Sequence, residues 1–301
     1  MINFLQGDVF YNIKKLEDNS IDCVVTSPPY WGLRDYGVDG QLGLEPTYQE
    51  HIKNIVELFR AMKPKLKDSA TIWLNYGDSY AATVNGTKAK DIKNDDRGFV
   101  DKPFSTIQGS IKPKDLVMIP NRIAIALQDD GWWIRSEIIW HKPNPMPESV
   151  RDRPTSSHEK IWLITKSKKY YYDADAIKEK SISKGSVHVH KPGNKADEYV
   201  KQGLLKAQQK PYHFKNKRNV WTITTKPCKE AHFATFPKDL IEPCIKAGCP
   251  ENGVVLDPFG GSGTTGIVAQ SLNRTAILIE LNPEYIEIAK KRIDKELGMF
   301  K

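Results

Sequence analysis

Val24-Val25-Thr26-Ser27-Pro28-Pro29-Tyr30-Trp31-Gly32 is an apolar run that stops against two prolines. Ile21 to Val25 has the length and character of a buried strand. Prolines lack an amide hydrogen, so Pro28 and Pro29 end that strand. They also stiffen the backbone, so Ser27 and the neighbouring carbonyls hold fixed directions. Tyr30 then adds a flat ring, followed by Trp31 and a flexible Gly32. A hydroxyl, rigid carbonyls and a ring suit one task, gripping a flat base by its amino group.

A second stretch lies far downstream, Val255-Leu256-Asp257-Pro258-Phe259-Gly260-Gly261-Ser262-Gly263-Thr264-Thr265. Glycines after a strand let the backbone turn sharply and approach a ligand closely. A nucleotide phosphate loop would close on Gly-Lys-Ser or Gly-Lys-Thr. Gly263-Thr264-Thr265 carries no lysine, which argues against ATP or GTP. Gly261, Gly263 and Gly266 satisfy the Gly-x-Gly-x-x-Gly spacing of dinucleotide folds, a pattern of low specificity by itself. Glu280 ends the following strand, 23 residues after Asp257. An acid there can accept both ribose hydroxyls of an adenosine.

Thr26-Ser27-Pro28-Pro29-Tyr30 resembles the catalytic motif of DNA methyltransferases that modify exocyclic amino groups. Val255 to Thr265 resembles the S-adenosylmethionine motif of the same family. With the catalytic motif first and the cofactor motif last, the order resembles the circularly permuted beta group. The resemblance covers most of Met1 to Asp173 and His232 to Ile293. It implies a doubly wound, Rossmann-like α/β sheet, circularly permuted, with an inserted target-recognition region. The expected parts are a catalytic part over 1–173, the insertion over 174–230 and a cofactor-binding part over 231–301.

Composition agrees with that architecture. The chain has 301 residues with 39% hydrophobic, enough for a sizeable core. No apolar run is long enough for a membrane span. Met1-Ile2-Asn3-Phe4-Leu5 has no basic region ahead of an apolar one, so no secretory signal is read and a cytoplasmic location is expected. Four cysteines, Cys23, Cys228, Cys244 and Cys249, have no metal-ligand spacing and read as reduced thiols; no metal is expected. The net charge is +8, and it is concentrated: Asp173 to Ala231 holds 13 Lys or Arg against 6 Asp or Glu. Clustered cations gain by displacing counterions from nucleic acid, so this segment is read as facing duplex DNA. His188, His190, Gln208, Gln209, Tyr212, His213, Phe214 and Asn216 interleave with those cations and supply amides and rings for reading bases.

The remaining pattern is βα alternation. Phe4 to Gln6 reads as a strand and Val9 to Leu16 as a helix. Asp8 either caps that helix or, as the resemblance implies, meets the cofactor's adenine amino group. Leu33 to Leu44 is glycine-rich and expected to be a mobile loop, with Arg34 and Tyr36 close enough to the catalytic turn to touch DNA. Thr47-Tyr48-Gln49-Glu50 fits a capping box for a helix that Pro64 stops. Ala70 to Asn75 is a second buried strand. Gly77 to Lys114 is a long aperiodic excursion. A helix is expected from Asp115 to Gly131 and a strand over Trp133 to Trp140, followed by a proline-stiffened loop bearing His141 and Lys142. Lys160 to Thr165 and Tyr170 to Asp173 read as the two strands of a terminal hairpin. Within the basic segment, Tyr199 to Leu205 and Asn219 to Thr224 read as ordered patches. A helix over 231–245 resembles the family's segment at the methionine end of the cofactor, with Phe236 and Lys238 as candidates.

The resemblance implies direct methyl transfer to an exocyclic amine. Ser27 Oγ and the Pro28 carbonyl would accept the amino hydrogens, Pro29 would rigidify the turn, and Tyr30 would stack on a base swung out of the duplex. Serine at the first motif position favours cytosine N4, with adenine N6 as the alternative. Cofactor contacts are expected from Asp8, Phe236, Lys238, Asp257, Phe259, Gly260, Gly261, Gly263, Thr264 and Glu280. A cytosine-C5 enzyme would need an attacking thiolate; Pro227-Cys228 and Pro243-Cys244 lack that family's surroundings. RNA or protein methylation, or DNA binding without catalysis, are the competing classes. A cognate restriction endonuclease and a monomer or homodimer are the expected partners and state.

Overall fold

Ile21–Thr26 is a strand buried at every position, as expected for a run flanked by parallel neighbours on both sides. The computed structural model describes residues 1–83, 100–181, 214–225 and 236–298. Its main sheet contains eight strands: β1 (Ile2–Gln6), β2 (Ile21–Thr26), β3 (Leu66–Tyr76), β4 (Trp133–His141), β5 (His158–Thr165), β6 (Val220–Thr222), β7 (Val254–Asp257) and β8 (Thr275–Glu280). Their spatial order is β1-β8-β7-β2-β3-β5-β4-β6. Neighbours from β1 through β3 are parallel; β5 runs antiparallel to both β3 and β4, and β6 is parallel to β4.

Six α-helices lie among the described residues: α1 (Val9–Lys15), α2 (Tyr48–Met62), α3 (Ile119–Asp129), α4 (Lys238–Gly248), α5 (Thr264–Ser271) and α6 (Pro283–Leu297). Thr47 caps α2 by accepting from the Glu50 amide at 3.2 Å, and the chain leaves the helix at Lys63-Pro64. Successive residues of a strand point to opposite faces, and the core divides accordingly. Val24 and Ile72 join Ile55, Phe59, Met62, Ile123 and Leu127 in one cluster. Val25 and Trp73 join Leu240, Ile241, Ile245 and Val268 in the other.

Four expectations change. Tyr170 to Asp173 is not a strand; both edges of β5 are taken by antiparallel neighbours, β3 on one side and on the other β4, paired from Trp133↔Thr165 to His141↔His158. α3 begins at Ile119 rather than Asp115, because Asp115 closes a turn by accepting from the Lys112 amide at 2.8 Å. Leu33 to Leu44 is pinned rather than loose. Arg34–Asp35 pairs with Val100–Asp101, and Gln41 bridges the Tyr36 amide and the Arg34 carbonyl at 2.7 and 3.0 Å. Asn219 to Thr224, read as an ordered patch of the basic segment, contains Val220–Thr222, the edge strand β6 of the main sheet. The Tyr199 to Leu205 patch, most of the other basic segment and 84–99 lie outside the described residues.

Candidate active site

The sheet's parallel strands end along one edge, and a cleft of about 760 Å³ opens there. That is the size of a small-molecule site, at the place where open α/β sheets bind ligands. Asp8 follows β1, Ser27 to Tyr30 follow β2, Asn75 is the last residue but one of β3, Asp257 ends β7 with Pro258 to Ser262 after it, and Glu280 ends β8; all line it. Two stretches more than two hundred residues apart in the chain thus form one cavity.

A buried carboxylate fastens them together. Asp257 Oδ1 accepts from Thr26 Oγ1 at 2.8 Å and from the Phe259 amide at 3.1 Å, and Oδ2 accepts from Thr265 Oγ1 at 2.6 Å. Asp257 is 1% exposed. Burial pushes its carboxyl up to about 6 against the pull of those three donors. Asp257, expected as a cofactor ligand, therefore acts on the cleft from beneath, by tying the last residue of the β2 strand to the glycine turn and to α5.

The glycine turn is shaped by contacts on its far side. A Cβ on Gly260 would lie 2.9 Å from Leu278 Cβ, and one on Gly263 would lie 3.1 Å from Ala289 Cβ. Gly263 has φ +77° and caps α5. It is not among the cleft's lining residues, so its service is helix packing. Thr264 lines the cleft but its Oγ1 accepts from Arg292 Nη1 at 2.7 Å. Glu280 Oε2 accepts from the Gly261 amide at 2.8 Å and Oε1 from the Asn282 amide at 2.9 Å. Burial raises the Glu280 carboxyl above its ordinary value, with those amides opposing. Asp8 caps α1 by accepting from the Tyr11 amide at 2.8 Å, and it lines the cleft. Phe236 and Phe259 line it as well. Lys238 does not: its ammonium pairs with Glu296 on α6, away from the cleft, so the expectation that it contacts the cofactor is corrected.

Across the cleft, the Tyr30 ring stacks on Tyr76, with centroids 4.4 Å apart and planes at 22°. Tyr30 Oη donates to Glu159 Oε2 at 2.8 Å, and Ser27 Oγ donates to Tyr30 Oη at 3.3 Å. Glu159 Oε2 also accepts from Asn75 Nδ2 at 3.1 Å, and Oε1 pairs with Lys142 Nζ. Burial pushes the Tyr30 phenol well above the usual tyrosine range, and the neighbouring Glu159 adds to the shift. Of the two loop candidates, Lys142 lines the cleft, whereas His141 Nδ1 bonds Thr222 Oγ1 at 3.1 Å on the β6 side. Of the cysteines, Cys244 is fully buried on α4 and burial raises its thiol. It does not line the cleft and cannot reach a base there. Cys228 lies outside the described residues.

Beneath the Ser27–Tyr30 turn is a support that the sequence does not announce. His51, buried on α2, bonds Glu45 Oε2 and Tyr76 Oη, each at 2.8 Å, and Tyr76 Oη accepts from the Trp31 amide at 2.8 Å. Burial alone would raise the Glu45 carboxyl, but its hydrogen bond and charge interaction with His51 hold it below the usual range. Replacing His51 by alanine leaves two buried polar groups without this partner. The expected loss of stability is about 2–4 kcal/mol, read by urea unfolding; a loss below about 1 kcal/mol would mean that water or neighbours replace the imidazole. The capping-box pattern identifies α2, but His51 carries no signal of its own because its partners come from a loop and from β3.

The fold and the cleft together define a class, the nucleotide-cofactor α/β enzymes with a second binding turn opposite the glycine loop. Within that class, the chain belongs to the N6/N4 DNA methylase family: the N6_N4_Mtase model, described as DNA methylase, matches residues 21–291. It is 48% identical over 287 residues to the type II methyltransferase M.SmaI of Serratia marcescens, covering 95% of this chain and 89% of that protein. It is 46% identical over 291 residues to M.Cfr9I of Citrobacter freundii, covering 97% and 87%. Among solved structures, the PvuII DNA methyltransferase (cytosine-N4-specific) superposes with TM-score 0.65 at 18% identity, covering 99% of this chain and 91% of that one. The M1.HpyAVI–SAM complex superposes with TM-score 0.57 at 20% identity, covering 98% and 100%. The expected kinship with amino-group DNA methyltransferases and the Rossmann-like sheet both hold. Among the described residues no helix is long and apolar enough to cross a membrane.

Proposed function

We propose that this DNA methyltransferase moves a methyl group from S-adenosylmethionine to the N4 amine of cytosine in duplex DNA. One observation carries the reading: the Ser27–Tyr30 turn and the Gly261–Glu280 wall line one cleft, held together through Thr26 and Asp257. Each Glu280 oxygen uses one acceptor site on a backbone amide and keeps another for a ribose hydroxyl. Asp8 is available to the adenine amino group, and Phe236 and Phe259 supply apolar wall. S-adenosylmethionine supplies an electrophilic methyl group on a sulfonium.

The chain's own residues prepare the amine. An exocyclic amine is a weak nucleophile because its lone pair is delocalised into the ring. Ser27 Oγ and the Pro28 carbonyl accept its two hydrogens, Pro29 holds that carbonyl's direction, and Tyr30 stacks on the base after it leaves the duplex. Aligning both reactants this way contributes roughly 7–11 kcal/mol to the rate. The cytosine-N4 specificity of the PvuII neighbour, and serine at position 27, favour cytosine; adenine N6 is the second reading because the family spans both bases. The permuted order and a target-recognition segment over 174–230 belong to the same proposal. They are supported by the order of the two turns along the chain and by the segment's charge.

The test is to incubate the protein with mixed-sequence duplex DNA and methyl-labelled S-adenosylmethionine, then identify the labelled nucleoside by mass. The expected product is N4-methylcytosine, lost in Ser27→Ala by roughly a hundredfold or more with cofactor binding intact by calorimetry. Label in N6-methyladenine would overturn the base assignment. Label in 5-methylcytosine would overturn the mechanism.

A further inference from the structure

Glu159 is not among the groups that grip the amine, yet it is the common partner of the catalytic turn. Its position follows from topology. β5 runs antiparallel to its neighbours, so the start of that strand, not its end, reaches the cleft edge, and Glu159 registers opposite Trp140. Three donors converge on its carboxylate: Tyr30 Oη at 2.8 Å, Asn75 Nδ2 at 3.1 Å and Lys142 Nζ.

The direction of the hydrogen bonds then follows. A carboxylate has no proton to give, so Tyr30 is the donor in its bond to Glu159. The buried phenol keeps its proton, as its raised pKa requires. With that proton committed to Glu159, the Tyr30 oxygen can only accept, and the Ser27 hydroxyl hydrogen is drawn to it at 3.3 Å. Ser27 therefore turns lone pairs, and no hydrogen, toward the cleft.

We infer that Glu159 is a positioning residue which, through Tyr30, fixes Ser27 as a hydrogen-bond acceptor and so selects a base bearing an amino group over the same base bearing a carbonyl. The inference rests on the proposed grip of the turn on an exocyclic amine. Cytosine and uracil have nearly one shape and differ at C4 in an amine against a carbonyl, as adenine and hypoxanthine differ at C6. A freely rotating serine hydroxyl could bond either. A fixed acceptor meets the carbonyl oxygen lone pair to lone pair, and a site built around one hydrogen bond rejects the analogue that cannot make it.

The test uses the full chain, Glu159→Gln, Tyr30→Phe and the double variant. Wild-type labelling of an exocyclic amine is scored first, and its absence would refute the parent reading independently of this one. Duplexes are then built around the methylated site with the target base or its deaminated counterpart, and their inhibition constants are compared. The wild type is expected to prefer the amino base by roughly tenfold or more. Glutamine can turn its amide nitrogen toward Tyr30 and reverse the chain, so E159Q should bring that preference within about threefold and lower kcat roughly tenfold. KM for S-adenosylmethionine should stay within about threefold of the wild type. Y30F, which leaves every charge in place, should do the same, and the double variant should be no worse than Y30F alone. Wild-type preference and kcat in E159Q would overturn the inference, as would additive losses in the double variant. Should E159Q fail to fold, Y30F alone decides, and an unchanged base preference in it would overturn the inference.

Discussion

Gly77→Ala is expected to slow methyl transfer by roughly a hundredfold while cofactor affinity stays within about threefold. Gly77 follows the last residue of β3 and lies against the catalytic turn. A Cβ there would come within 2.7 Å of Tyr30 Cε2 and 3.1 Å of both Glu159 Cγ and Cδ. Something must move, and Tyr30 has little freedom to do so. Its ring is stacked on Tyr76 at 4.4 Å and its hydroxyl is tied to Glu159. The added methyl group displaces the ring proposed to stack on the base and the carboxylate proposed to orient it. A displacement of about 1 Å at a reacting pair costs on the order of a hundredfold in rate. Gly261, in the turn after β7, and Glu280, the last residue of β8, are not among the groups that a Cβ on Gly77 would meet. Single-turnover rates with labelled cofactor, set beside calorimetric cofactor affinity, separate the two. A rate within about threefold of the wild type would mean that the turn tolerates the methyl group and that Tyr30 is not held as described.

Asp257→Ala is expected to remove detectable cofactor binding and about 3–6 kcal/mol of stability. Alanine leaves three donors, the Thr26 and Thr265 hydroxyls and the Phe259 amide, without an acceptor in a site closed to water. It also frees the glycine turn from the end of β2, so the two walls of the cleft lose their common anchor. Urea unfolding and cofactor calorimetry read the two losses. Asp257→Asn separates the anchor from its charge, since the amide keeps one acceptor and the threonine hydroxyls can reverse to accept from the other end. The wild-type carboxyl rises from 3.8 to about 6 on folding. Below the lower value both states are protonated and the group contributes nothing to the balance. Between the two, the folded state holds a proton that the unfolded state has released. Above the upper value the folded protein carries a buried charge at full cost. Asp257 thus destabilises progressively as pH rises from about 4 to about 6, by about 3 kcal/mol in total. D257N should flatten that part of the stability profile and gain on the wild type above pH 6. A wild-type profile and a D257N profile that run parallel through this range would show that the carboxyl does not titrate there.

Local sequence carries much of this molecule because several of its decisive features are local. A proline pair has only one way to treat a strand, and glycines between a strand and a helix have few, so Ser27 to Tyr30 and Gly260 to Gly263 are recognisable without a partner in view. The Thr47 cap, the Pro64 stop and the apolar spacing of α2 are likewise short-range facts. So is the acid at Glu280, whose distance from Asp257 along the chain is set by one helix and one strand. The two motifs also predict each other, and the pair implies a shared cleft.

What fails are the statements that depend on who pairs with whom. Tyr170 to Asp173 has strand-like residues, but the hydrogen-bonding edge of β5 is already taken by β4. Lys238 looks like a cofactor contact from its place beside Phe236, yet as the first residue of α4 it pairs its ammonium with Glu296 on α6. Asp257 is legible as important but not as buried, because Thr26, the donor that ties it to β2, lies 231 residues away in the chain. Glu159, Asn75, His51 and Glu45 are invisible for the same reason. Each is an ordinary polar residue until strand order and direction bring it beneath or beside Tyr30. Sequence alone determined which backbone turns this protein makes, since those are governed by the dihedral limits of single residues. The tertiary structure alone decided the direction of the hydrogen bonds across the cleft, because that direction depends on an antiparallel strand delivering one carboxylate to the end of a chain of hydroxyls.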